Sequence, residues 1–232
     1  MEKNKFYAEL FGTFILTFIG SMAVVSFAGT LLAFGAANLL AIALAHGLAL
    51  AIAVYAVGHI SGAHVNPAIT IGFLATGKMK ANEAGYYVFA QLVGAGIAGL
   101  LVGLLASGAA TSANYGAPLP GNGVAETAAL GFEVALTGLL AFVVLSTAAD
   151  KRSTPGWHGF AIGMTLAVAI LAGGAFSGAS LNPARSFGPA LAAFAFDGTG
   201  QAISFYWIYV LGPMVGGVLG AFLHKMTVAA KK

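Results

Sequence analysis

Apolar positions in this chain run in long blocks and do not alternate with polar ones. Six blocks, Phe6–Ala28, Leu39–Gly58, Ala84–Ala106, Thr127–Ala149, Trp157–Gly174 and Phe205–Met226, are almost free of charge. Each approaches the roughly twenty residues that cross about 30 Å of hydrocarbon, the fifth being slightly short. The pattern predicts six transmembrane helices. Two further apolar stretches, Pro67–Thr76 and Pro183–Phe194, are too short to span. Each begins at an Asn-Pro pair, in which Asn caps a helix and Pro occupies its first turn. Short helices at membrane depth are tolerated only when buried in protein or lining a cavity. The apolar run after the charged Met1–Lys5 superficially resembles a signal peptide. It is too long for one and is followed by further spans, so it reads as the first transmembrane helix.

Composition agrees with lipid as the solvent. Apolar residues make up 59% of the 232, against seven Asp plus Glu and ten Lys plus Arg. A soluble domain carries about a quarter of its residues as charges. The 33 glycines suit helices that approach closely in lipid. Basic residues are dispersed at segment ends, which speaks against a nucleic-acid partner. Cysteine is absent, excluding disulfides, thiolate metal ligands and a Cys nucleophile. No nucleophile–base spacing or metal motif stands out, so neither enzyme activity nor a cofactor is expected.

Charge placement orients the chain. With a cytoplasmic N-terminus, Lys3, Lys5, Lys78, Lys80, Lys151, Arg152, Lys225, Lys231 and Lys232 all lie inside. The outer connections Gly29–Asn38, Ser107–Glu126 and Asp197–Ser204 carry no Lys or Arg. Six crossings then leave both termini in the cytoplasm. The remaining basic residue, Arg185, lies within the second short stretch, where a guanidinium usually marks a polar pathway.

The chain is internally duplicated. G-H-I-S-G-A-H-V-N-P-A at Gly58–Ala68 returns as G-A-F-S-G-A-S-L-N-P-A at Gly174–Ala184, 116 residues later. Glu9 with Thr13 matches Glu133 with Thr137, and Val93-Gly94 matches Val215-Gly216. We divide residues 1–232, a single transmembrane domain, into repeats at 1–106 and 126–226. Three spans per repeat invert the second relative to the first. The two half-helices then enter from opposite sides, and their Asn66-Pro67-Ala68 and Asn182-Pro183-Ala184 starts meet near the midplane. Two facing helix N-termini, each equivalent to about half a positive charge, repel cations. The Asn amide NH2 groups can donate to passing water and interrupt a proton-hopping chain; capping alone is the plainer reading. Arg185 can donate to a solute and repel cations, or anchor loop carbonyls. Glu9 and Glu133 read as braces for the re-entrant loops, with a proton relay as the alternative. Ser61, Gly62, Ser177 and Gly178 form the turns into the half-helices.

At this point the chain resembles the major intrinsic protein family, the aquaporins and aquaglyceroporins. The resemblance runs from Ala8-Glu9-Leu10-Phe11-Gly12-Thr13 to the G-P-M-V-G-G of Gly212–Gly217 and includes both Asn-Pro-Ala boxes and Arg185. It implies an all-α, right-handed bundle of six transmembrane helices plus two re-entrant half-helices, assembled as a homotetramer with one pore per subunit. It also implies an outer selectivity filter of His46, Ile170, Ala179 and Arg185. That set resembles plant tonoplast intrinsic proteins, whose members pass water and often ammonia, urea or hydrogen peroxide. Ser186 agrees with water channels, whereas Val210 stands where many members carry Trp. In residue terms, His46 and Arg185 offer donors on one side, and Ile170 and Ala179 an apolar wall.

The expectation is a passive water channel in the lipid bilayer that also conducts small neutral solutes such as ammonia. A broader glycerol and urea facilitator is the alternative. A proton-coupled transporter would need a coupling-ion site, and a junctional structural protein would need no continuous pore. The host membrane is expected to be the cell membrane, with the vacuolar membrane as the alternative. His59 and His64 are candidates for the inner vestibule and His158 for the cytoplasmic interface. Trp157, Trp207, Tyr206 and Tyr209 are expected to anchor at the membrane surface.

Overall fold

A computed structural model describes residues 3–28, 36–198 and 200–229. Long apolar runs without breakers become helices α1 (Lys3–Ala28), α2 (Ala36–Ser61), α4 (Ala81–Ser112), α5 (Glu126–Thr147), α6 (His158–Ser177) and α9 (Tyr206–Ala229). All six are long and apolar enough to cross a membrane. Between them lie the short helices α3 (Pro67–Ala75), α7 (Pro183–Asp197) and α8 (Gln201–Ser204). The chain is therefore an all-α, six-span bundle with two extra half-length helices, and an integral membrane protein. Its outer faces carry Phe11, Leu104, Leu105 and Leu139 exposed, as lipid contact requires.

Most bounds lie within three residues of expectation, and two helix ends have a visible cause. Helix α4 continues to Ser112 because its break at Ser107 (φ 28°, ψ −108°) kinks the helix without ending it. Helix α7 runs three residues past Phe194, to Asp197, and ends at Gly198 with φ 78°. Most of the outer connection Gly29–Asn38, and the basic Lys231 and Lys232, lie outside the described residues.

Packing repeats itself. Helix α1 rests on α2 and α4, as α5 rests on α6 and α9. Helices α2 and α6 meet each other, and each half-helix packs on the last span of the opposite repeat, α3 on α9 and α7 on α4. Glycine makes these approaches possible. A Cβ on Gly94 would lie 2.1 Å from the Leu10 carbonyl oxygen, and one on Gly216 2.3 Å from that of Val134. At the α2–α6 crossing, Gly47 and Gly163 press on each other's carbonyl oxygens in the same way, at 2.6 and 2.3 Å. Such contacts bring backbones together where lipid offers no hydrophobic drive for association.

Candidate functional site

The two re-entrant loops are built from matching parts. In the first, Glu9 Oε1 accepts from Ser61 Oγ (2.7 Å) and the His64 N–H (2.9 Å), while Oε2 accepts from the Val65 N–H (2.7 Å). In the second, Glu133 Oε1 accepts from Ser177 Oγ (2.8 Å) and the Ser180 N–H (2.9 Å), and Oε2 from the Leu181 N–H (2.8 Å). Both carboxylates are fully buried. Tyr87 donates to the Ser61 carbonyl at 2.8 Å and Tyr209 to the Ser177 carbonyl at 2.7 Å.

These contacts hold a backbone that resists its own shape. Ala63 (φ 47°), Val65 (φ 43°), Ala179 (φ 43°) and Leu181 (φ 57°) are all left-handed without being glycine. That conformation costs energy, most of all for β-branched Val65. It turns successive N–H groups toward one carboxylate, which gives the strain a compensating partner.

The loops deliver Asn66 and Asn182 to one place. Asn66 Oδ1 caps α3 by accepting from the Ala68 N–H at 2.9 Å. Asn182 Oδ1 caps α7 by accepting from the N–H groups of Ala184 (3.0 Å) and Arg185 (3.1 Å). Each amide then crosses between the repeats. Asn66 Nδ2 donates to the Leu181 carbonyl and Asn182 Nδ2 to the Val65 carbonyl, both at 2.8 Å. One N–H of each amide is thus consumed. The second remains for the lumen, which both residues line.

The lumen is a narrow neck between two vestibules. Room for water centres amounts to about 20 Å³ in the neck, against about 160 Å³ on the Arg185 side and about 190 Å³ on the His158 side. A single water needs about 10–15 Å³ by this measure. Residues at matching places in the two halves of the sequence line the neck together: Leu16 and Leu140, Leu50 and Leu166, His64 and Ser180, His46 and Ile162, and Ile69 and Arg185. His46 and Arg185 are shared with the space on one side of the neck, and His64, Gly62 and Val144 with the space on the other. No carboxylate lines the neck among the described residues.

His46 and Arg185 come together where both border the neck and the adjoining vestibule. Arg185 Nη2 and Nε lie 2.8 and 3.2 Å from His46 Nε2. Ile170 lines the same vestibule. Gly178 borders that space too, and the methyl of the adjoining Ala179 would lie 3.7 Å from a Cβ placed on Gly173 of α6. The expectation that His46 supplies a donor is revised, because its Nδ1 lies 2.9 Å from the Ile42 carbonyl and its Nε2 faces the guanidinium.

Several polar residues here escaped sequence reasoning. Gln91 Nε2 donates to Glu9 Oε2 (2.7 Å) and to Thr70 Oγ1 (3.0 Å). Pro213 occupies the matching position in α9, so Glu133 has no such support. Tyr209 is buried at 1% exposure and pins a loop, and Tyr206 donates to the Pro183 carbonyl at 3.2 Å, so neither is a free surface anchor. The recurrence of Tyr87 as Tyr209 in register with Val93-Gly94 and Val215-Gly216 was the available signal. Trp157 and Trp207 are exposed, consistent with anchoring. His64 borders both the neck and the wider space beyond it, bonded through Nδ1 to Thr70 Oγ1 at 3.1 Å. His59 is exposed, and His158 lines that inner space.

Comparison with known proteins places this geometry. A family model described as Major intrinsic protein matches residues 2–224. Aquaporin AqpM of Methanothermobacter marburgensis is 41% identical over 94% of each chain. Probable aquaporin TIP4-1 of Oryza sativa subsp. japonica is 39% identical over 97% of this chain and 87% of its own. The solved aquaglyceroporin of Plasmodium falciparum superposes with a TM-score of 0.83 at 26% identity, covering 98% of this chain and 97% of that one. Proteins named as a bacterial aquaporin and as a glycerol uptake facilitator match at similar identity. The likeness therefore spreads across the aquaporins and does not single out the tonoplast branch.

Proposed function

The chain belongs to the major intrinsic protein family, whose members pass water or small neutral solutes as passive channels and not as enzymes, and on that premise we propose that it is a water channel that also conducts ammonia. The reading rests first on the crossed Asn66 and Asn182 bonds, which aim two helix N-termini at one small neck. Their positive ends oppose cation entry. The remaining amide N–H groups orient water by donating to its oxygen.

Solute range is assigned to the filter. Ile170 and the guanidinium of Arg185 border the outer vestibule; an aliphatic side chain there offers water no hydrogen bond, which lowers the advantage of water over ammonia, a solute of similar size that makes fewer hydrogen bonds. A broader glycerol and urea facilitator is the second reading, favoured by the likeness to a protein named Glycerol uptake facilitator protein-like 6. Stopped-flow swelling of proteoliposomes under water, ammonia, urea and glycerol gradients tests both. Water flow no faster than in empty vesicles refutes the channel, and glycerol flow comparable to water selects the facilitator. We also propose a homotetramer in the cell membrane with both termini cytoplasmic, supported by family membership and the placement of Lys and Arg. Native mass spectrometry and protease protection of tagged termini test these.

A further inference from the structure

The Arg185 side chain is 4% exposed and lies about one turn into α7, yet it meets no carboxylate by hydrogen bond among the described residues. Two of its nitrogens converge on a single acceptor, His46 Nε2, and the third, Nη1, is buried with no protein partner. The imidazole has no choice of role. A carbonyl oxygen only accepts, so the 2.9 Å contact of Nδ1 with the Ile42 carbonyl places a proton on Nδ1. Nε2 faces guanidinium N–H groups, which only donate, and must present its lone pair.

Room for this ring comes from a different helix. A Cβ on Gly20 of α1 would fall 2.4 Å from His46 Nε2 and 2.5 Å from Cδ2. At the corresponding place in the second repeat stands Val144, opposite Ile162, where no such pair forms. Bare backbone at Gly20 and the carbonyl of Ile42 thus seat the His46 ring, which in turn meets the guanidinium.

We propose that His46 is a positioning residue: held in its Nδ1–H tautomer by Ile42 and admitted by Gly20, it engages two nitrogens of Arg185 and reduces the number of N–H groups, of the five a guanidinium carries, that can turn toward solutes. The constriction then holds a passing molecule with fewer donors and lets it go sooner. Released from His46, Arg185 presents several unpartnered N–H groups to the neck and retains water. The proposal rests on the channel reading for its transport consequence, while the tautomer can be measured without transport.

Solid-state 15N spectra of histidine-labelled protein in liposomes, with the His46→Gln spectrum subtracted to assign the ring, should show Nδ1 protonated and Nε2 bare at neutral pH. In vesicles with counted channels, His46→Phe and Gly20→Ala should each lower unit water permeability by roughly fivefold, the weight of one hydrogen bond of about 1 kcal/mol. Both should raise the activation energy of flow. His46→Gln, which restores an acceptor near the Nε2 position, should conduct faster than His46→Phe. The Gly20→Ala result matters most, because that change removes no polar group and adds only a methyl. A bare Nδ1, a doubly protonated ring, or water permeability within twofold of wild type in both His46→Phe and Gly20→Ala overturns the proposal. Wild-type vesicles impermeable to water would overturn the channel reading instead, leaving the tautomer to decide this one.

Discussion

Replacing Glu9 by Ala removes the acceptor of four hydrogen bonds, from Ser61 Oγ, the His64 and Val65 N–H groups and Gln91 Nε2. The Ser61 hydroxyl can rotate to another partner. The two backbone N–H groups cannot, because the left-handed Ala63 and Val65 fix their direction. A stranded buried donor costs about 1–3 kcal/mol, so the two together cost about 2–6 kcal/mol. Relief of the buried carboxylate's own desolvation offsets part of this. Helices unfolded in lipid also find partners, which draws the expected loss toward the lower end, about 2 kcal/mol. Glu9→Gln keeps one acceptor oxygen and should fall between Ala and wild type. The assay is unfolding in mixed micelles titrated with SDS, followed by far-ultraviolet circular dichroism, with water flux per channel measured in parallel. Glu9→Ala within about 0.5 kcal/mol of wild type, and fully conducting, would refute the idea that carboxylates hold these loops in shape.

Gly99→Ala should abolish folding or expression, since its Cβ would lie 2.0 Å from the Gly188 carbonyl oxygen where α4 meets α7; a folded, conducting variant in the same SDS titration contradicts that packing. Tyr209→Phe removes the bond to the Ser177 carbonyl (2.7 Å) and should cost about 1 kcal/mol, and Tyr87→Phe a similar amount, so a difference much larger than this between the two would break the equivalence of the loops. Asn182→Ala loses the cap of α7 and the bond to the Val65 carbonyl; the cap alone is worth about 1 kcal/mol, and the same variant should admit measurable ion or proton leak in a pH-dye liposome assay, whereas an ion-tight, equally stable Asn182→Ala would remove the amides from the exclusion mechanism.

Much of this architecture was readable before any coordinates. Charge-free blocks of spanning length fix the six long helices, and Asn-Pro marks both half-helix starts because the cap and the missing Pro N–H are local chemistry. Glu9 and Glu133 were recognisable as braces, since a buried carboxylate must be satisfied by something nearby. Other features depend on direction in space, which residue type does not carry. His46 as a one-dimensional letter offers a donor as readily as an acceptor; only the Ile42 carbonyl and the guanidinium decide. The positive φ of Ala179 is likewise invisible in its residue type. Tyr209 lies among interfacial aromatics along the chain but on the inward side of α9. The apolar block of helix α4 stops at Ala106, whereas the helix kinks at Ser107 and resumes.

The crossed amide bonds also bear on how the molecule is made. Asn66 and the Val65 carbonyl leave the ribosome more than a hundred residues before Leu181 and Asn182. Until those arrive, the first loop lacks the donor and the acceptor that its own groups meet in the folded chain. Assembly of the centre therefore waits on translation of the second half, and a nascent chain truncated before Leu181 has no route to close it.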